Sequence, residues 1–274
     1  MFIDPEIEIV NPKIPRGNFR SVLFDFDGTL SLIREGWPQV MIPMMVSILK
    51  ETGTSESEEN LTQAVNEFVM RLTGRQTIYQ MMQLADEVKK RGGTPRDPLE
   101  YKHQYHEGLM RRIQSRLDDL TTGKCVATDW TVPGSHELLT NLQNRGMMLY
   151  LASGTDIQYV KNEANLLQVA PFFGPHIYGA LDDYQNFSKK MIVEKIIRDH
   201  HLQGAELIGF GDGFVEIEEI KKVGGLAIAV ASDEANRRGV DPWKRERLIQ
   251  AGADIVIPEY RKQAILLDWL FDKG

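Results

Sequence analysis

Cysteine is almost absent: Cys125 stands alone in 274 residues. No internal disulfide can form, and a reducing cytoplasm fits that usage. A long hydrophobic run is absent too. The most apolar stretch, Val40 to Leu49, contains Pro43 and is too short to span a bilayer. The N-terminus, Met-Phe-Ile-Asp-Pro-Glu-Ile-Glu, is acidic where a secretory leader would be basic, so no signal peptide is expected. Positive charge is in deficit, with 32 Lys and Arg against 39 Asp and Glu and a formal net charge of −7. That balance argues against non-specific nucleic-acid binding. It does not exclude an anionic substrate, because a metal ion can supply positive charge locally. No internal repeat or low-complexity tract is evident. What remains is an ordinary soluble composition, 42% hydrophobic and 26% charged, sufficient for one large domain or two smaller ones.

The character of the chain changes twice. Residues 1–19 carry three prolines and little periodicity, and read as an extended N-terminal arm leading into a first strand. From about Gly36 to about Asp129 no strand pattern appears. Apolar residues instead recur at helical spacing: Val40, Met44, Met45 and Ile48, then Leu61, Val65, Phe68 and Leu72, then Ile78, Met81, Met82 and Ala85. Gly53, Gly74, Gly92-Gly93 and Gly123 fall where such helices would stop. Four or five helices are expected, enough for a small bundle. After Trp130, short apolar strands at Met147 to Ala152, near Ile177, at Glu206 to Gly211, at Leu226 to Val230 and at Asp254 to Ile257 alternate with amphipathic helices. This alternation predicts a parallel sheet with right-handed crossovers. The expected fold is therefore α/β: a Rossmann-like parallel-sheet core from residues 1–35 and 130–274, with an all-helical insertion at 36–129.

The most informative stretch is Ser21-Val-Leu-Phe-Asp-Phe-Asp-Gly-Thr-Leu30. Asp25 and Asp27 end a short apolar, strand-like run, and Gly28-Thr29 turn the chain. Two carboxylates at i, i+2 on the carboxyl end of such a strand lie where open α/β sheets place ligands. Like charges this close require a cation or a shared proton. Mg2+ suits them, since it is held by one or two carboxylates plus waters and substrate phosphate. A calcium loop also begins Asp-x-Asp-Gly, but here no helix precedes it and no Glu occupies the twelfth loop position.

Three later segments supply matching parts. Leu149-Tyr-Leu-Ala-Ser153-Gly154-Thr155 ends a strand with a hydroxyl and a glycine, able to bind phosphate oxygens or, equally, to cap the next helix. Ser188-Lys189-Lys190 opens a helix. A lysine there opposes the helix dipole, so its placement needs a reason, and a phosphoryl group needs a nearby cation. Lys189 is preferred and Lys190 remains open. Phe210-Gly-Asp212-Gly-Phe-Val-Glu216 ends another apolar strand in an acidic loop, where Asp212 can complete an oxygen-rich Mg2+ site with Asp25. Glu216 is long enough to reach that site directly or through water. Glu218 and Glu219 read as a solvated helix face. His103 and His106 lack a third ligand and read as surface or packing residues, and His200-His201 suit a helix end. The methionines Met41, Met44, Met45, Met81 and Met82 read as packing between helices.

Taken together, and in this order, the four motifs resemble those of the haloacid dehalogenase superfamily of aspartate-based phosphatases and phosphomutases. The similarity covers about residues 20–257 outside the insertion, which resembles the helical cap of its β-phosphoglucomutase and phosphoglycolate phosphatase-like members. The stretch Leu72-Thr-Gly-Arg-Gln-Thr-Ile-Tyr-Gln-Met-Met resembles their cap specificity loop. The resemblance implies that Asp25 attacks phosphorus to form an aspartyl-phosphate and that Asp27 handles the leaving-group proton. It further implies that Ser153, Gly154 and Lys189 or Lys190 hold phosphoryl oxygens, and that Asp25, the Asp27 backbone carbonyl, Asp212 and Glu216 hold Mg2+. A cap closing over the site would add Arg34, Trp37 and Arg75 as substrate contacts. The expected substrate is a small phosphorylated metabolite and the expected activity phosphate-monoester hydrolysis. A phosphomutase and a non-catalytic binding protein on the same fold are the alternatives.

Overall fold

Ile7 and Ile9 flank Glu8 in the period-two pattern of a strand with one buried face, and both isoleucines are buried. In the computed structural model, which describes residues 1–180 and 188–272, Phe2–Asp4 (β1) and Ile7–Ile9 (β2) pair antiparallel. The N-terminal segment is thus not an extended arm alone. β2 also pairs antiparallel with Ile255–Ile257 (β8), so the segment extends the main sheet by two strands. Prolines at 12 and 15 dominate the sequence signal of the region, and two three-residue strands are too short to show against it.

The chain divides into two compact units, residues 1–35 with 119–274, and residues 36–118. In the first, Ser21–Phe24 (β3), Met148–Asp156 (β4), Ile177–Ala180 (β5), Leu207–Gly211 (β6) and Leu226–Val230 (β7) join the three strands already named. The order is β1-β2-β8-β7-β6-β3-β4-β5. The run from β8 to β5 is parallel throughout. A parallel strand covered on both faces must be apolar along its length. β6 and β7 meet that demand, as does β3 after its first residue, Ser21, and every residue in the three is buried. In the core, Phe24 stacks on Phe210 with ring centroids 4.8 Å apart and meets Phe173 edge-on.

The second unit contains Pro38–Lys50 (α1), Glu58–Leu72 (α2), Thr77–Lys90 (α3) and most of Pro98–Thr122 (α4), up to residue 118. Gly53, Gly74, Gly92 and Gly123 follow these helices with φ of +76°, +98°, +78° and +71°, the left-handed stop that glycine adopts without penalty. Ser57 caps α2 by accepting the Asn60 N–H. Met41, Met45 and Met81 are buried among the helices. Residues 119–129, assigned to the insertion on sequence, belong with the first unit. Ser31 bridges Thr131, and the Arg237 guanidinium donates to the carbonyls of Thr128 and Asp129, each at 2.7 Å. Among the described residues no helix is long and apolar enough to cross a membrane.

Deleting residues 1–10 removes the buried Ile7 and Ile9 and uncovers the β8 edge. The expected cost is about 3–6 kcal/mol from lost apolar burial, with added self-association through the bare edge. A thermal melt and a sedimentation profile unchanged from the full chain would contradict this.

Candidate active site

The β3–β6 ladder continues one residue beyond the strand, since the Asp25 N–H donates to the Phe210 carbonyl at 2.9 Å. Asp25 is thereby fixed at the carboxyl end of the sheet. The chain then turns tightly, the Phe26 carbonyl accepting N–H groups from Leu30 at 2.8 Å and Ser31 at 2.9 Å. Gly28 has φ +75°, and a Cβ added there would lie 2.1 Å from Asp212 Oδ2, so this position needs both a left-handed backbone and no side chain. Thr29 Oγ1 accepts the Asp212 N–H at 3.0 Å. The turn after β3 therefore positions the acid that follows β6.

The charges converge on Lys189, at the start of Lys189–Asp199 (α8). Its Nζ donates to Asp25 Oδ1 at 2.7 Å and to Glu216 Oε2 at 2.8 Å, and all three groups are buried. Glu216, in Phe214–Lys222 (α9), also accepts the Gly213 N–H at 2.6 Å. Burial pushes the Asp25 carboxyl well above its ordinary range; Glu216 and Asp212 push the same way and Lys189 pulls it down. Burial alone would lower the Lys189 ammonium, but Asp25 and Glu216 outweigh it and hold the group above its usual value. Asp25, Asp212 and Glu216 each bring one carboxylate oxygen within 4.8 Å of the others. Three oxygen donors with an excess of negative charge fit Mg2+. Glu216 offers an oxygen to this cluster alongside the two aspartates.

Asp27 has different surroundings. Its Oδ2 accepts from Thr155 Oγ1 at 2.8 Å and from Ser153 Oγ at 3.2 Å. Ser153, Gly154 and Thr155 lie in the second half of β4. Neither hydroxyl caps the next helix, Ile157–Leu166 (α6), whose N-cap is Asp156. Arg34 Nε lies 3.7 Å from Asp27 Oδ1.

The structure separates the two lysines. Lys190 is exposed and pairs with Glu194 at 3.7 Å. Arg34, read as a cap-side substrate contact, lies in the α/β unit and binds Glu163 through Nε and Nη2 at 2.6–3.1 Å. Trp37 stands at the N-cap of α1, and the Arg75 guanidinium lies 5.9 Å from the Tyr79 ring centroid, both within the helical unit. Three contributors went unnoticed in the sequence, Glu163, Glu234 and Lys244, and Thr155, a helix-cap candidate there, instead donates to Asp27. The Lys244 ammonium donates to Asp212 Oδ2 at 2.9 Å and to Glu234 Oε1 at 2.6 Å. It sits in the first turn of Pro242–Gln250 (α10), so the unfavourable helix-dipole placement that singles out Lys189 was also its signal.

The sequence model of the haloacid dehalogenase-like hydrolases matches residues 19–224. No curated protein matches the chain in sequence. Solved structures with a similar fold include a predicted phosphoglycolate phosphatase from Haemophilus somnus, 15% identical with a TM-score of 0.59, covering 91% of this chain and 98% of that one. A haloacid dehalogenase-like protein of unknown function from Agrobacterium tumefaciens is 19% identical with a TM-score of 0.58, covering 92% and 98%. A HAD family hydrolase from Deinococcus radiodurans with bound phosphate and sodium is 15% identical with a TM-score of 0.54, covering 93% and 97%.

Replacing Lys189 with Met strands Asp25 and Glu216 as buried, unpaired acids. Loss of one partner of a buried ion pair costs about 3–5 kcal/mol, so the metal-free variant should melt well below wild type. Added Mg2+ should raise its melting temperature more than it raises that of wild type; an equal or smaller rise counts against the carboxylate cluster as a cation site.

Proposed function

This chain belongs to the haloacid dehalogenase-like hydrolases, and from that membership we propose that it hydrolyses small organic phosphate monoesters in a Mg2+-dependent reaction through an aspartyl-phosphate. One observation carries the reading: Asp25, Asp212 and Glu216 converge to within 4.8 Å while Lys189 bridges two of them. The bound phosphate in the Deinococcus structure and the name of the Haemophilus protein support a phosphorylated substrate.

Asp25 is the nucleophile. Its buried carboxylate attacks phosphorus in line and forms the acyl phosphate, dividing one difficult displacement into two. Asp27 gives a proton to the departing oxygen, then takes one from the water that attacks the acyl phosphate. The Lys189 ammonium offsets charge on the transferring group. Ser153 and Thr155 donate to Asp27 here. With substrate present, the Ser153 hydroxyl and the backbone at Gly154 turn to the phosphoryl oxygens. Asp25, Asp212, Glu216 and the Asp27 carbonyl would hold Mg2+, which when bound supplies positive charge against the phosphoryl group and the carboxylates. Lys190 has no part in this scheme, being exposed and paired with Glu194.

A panel of phosphorylated metabolites tests the proposal by release of inorganic phosphate. Activity should require Mg2+ and vanish with EDTA. Asp25→Asn should lower kcat by on the order of 10³-fold or more while the circular dichroism spectrum is unchanged. Full activity in either case removes the assignment, and isomerised product without phosphate release reassigns the protein as a mutase.

A further inference from the structure

Asp27 Oδ1 is buried and accepts no hydrogen bond from the described residues. The cation facing it is Arg34, whose Nε stands 3.7 Å away, within ion-pair range but too far to bond. Arg34 is itself immobilised. Glu163 takes its fork through Nε and Nη2, and the Tyr159 ring lies 5.8 Å from the guanidinium carbon. Glu163 is 1% exposed on α6, a costly place for a carboxylate. Burial pushes its carboxyl up against the lowering pull of Arg34. A buried acid and a buried guanidinium joined by a two-pronged contact form a rigid element with near-zero net charge. That element abuts the open side of Asp27, while two hydroxyls from β4 hold the other side.

We propose that the Glu163–Arg34 pair positions Asp27 for proton transfer, and that the protein accordingly acts on phosphate esters of alcohols, whose alkoxide leaving groups need a proton. Glu163 and Arg34 are positioning residues: they act through Asp27. Three features suit the task. The planar fork fixes where the guanidinium stands, so Asp27 meets a constant neighbour. The 3.7 Å gap leaves Oδ1 free of a competing donor. Glu163 neutralises Arg34, so the neighbour that Asp27 meets is a paired guanidinium and not a bare cation. As Asp25 bonds to phosphorus, the ester P–O bond breaks, its electron pair stays on the alcohol oxygen, and the Asp27 proton moves to that oxygen.

The inference rests on the general-acid role given to Asp27, and leaving-group dependence separates the two. A p-nitrophenolate leaves without help, whereas the alkoxide of glycerol 3-phosphate does not. Asp27→Asn is the reference: it should lose on the order of 10²-fold or more in kcat/KM on glycerol 3-phosphate relative to p-nitrophenyl phosphate. Glu163→Gln and Arg34→Lys should follow the same pattern at about tenfold, with KM for p-nitrophenyl phosphate unchanged. The Arg34→Gln/Glu163→Gln double variant removes both charges together and so buries no lone charge; it should fold and show the same bias. Equal losses on both substrates, or none, overturn the positioning role. So does failure of all three variants to fold, since the pair would then only support the core. If Asp27→Asn itself loses both substrates equally, the acid assignment fails instead.

Discussion

Burying several carboxylates at the ends of two neighbouring parallel strands, with too few cations to match them, is the constraint on which this structure turns. Asp25 follows β3, Asp212 follows β6, and Glu216 reaches back from the first turn of α9. Lys189 serves Asp25 and Glu216; Lys244 serves Asp212 and Glu234. Four carboxyl groups share two ammonium groups, an excess of acid that a divalent cation would offset. Both lysines stand in the first turn of a helix, where the dipole disfavours positive charge. Their carboxylate partners outweigh that penalty by far, because ion pairs interact more strongly away from water.

The local backbone serves the same arrangement. Gly28 has room for no side chain beside Asp212, and a Cβ on Gly211 would lie 2.1 Å from Glu216 Cγ. Both glycines let backbone approach an acid closely, one from the β3 turn and one from the end of β6. Thr29 then ties the two loops together through the Asp212 N–H. The parallel sheet supplies register, placing Phe24 beside Phe210 and hence Asp25 near Asp212. Phe24 and Phe210 are almost fully buried and stacked, which makes that register hard to shift without uncovering the core.

Much of this was legible in the sequence. An acid after an apolar strand run is conspicuous, so Asp25, Asp27 and Asp212 could be picked out. Lys189 and Lys190 could not be separated, because they differ by one step of roughly 100° around a helix. Ser188, whose side chain accepts the Met191 N–H, starts the helix in the phase that turns Lys189 inward. Glu163 had no signal of its own: a single acid in an amphipathic helix usually faces water, and its partner lies 129 residues away. The second boundary of the helical unit was hidden for a similar reason. α4 is an unbroken 25-residue helix, so nothing local marks residue 118, whereas the contacts that draw 127–131 into the α/β unit come from Ser31 and Arg237.

Asp25 and Asp27 are two residues apart, yet their surroundings assign them different chemistry. Asp25 lies among charge: an ammonium at bonding distance and two further acids. A carboxylate so placed is held in one position and is ready to share a cation, as a nucleophile must. Asp27 is met by two neutral hydroxyls and by a guanidinium already neutralised by Glu163. Nothing with a full uncompensated charge competes there for its unbonded oxygen. Separate environments for neighbouring carboxyl groups are how acid and base roles are divided between like residues. The two-residue period of a strand would send both acids the same way. The division comes from the turn: the Asp25 N–H stays on the β3–β6 ladder, whereas the Phe26 carbonyl takes the Leu30 and Ser31 N–H groups and the chain carries Asp27 towards the hydroxyls of β4.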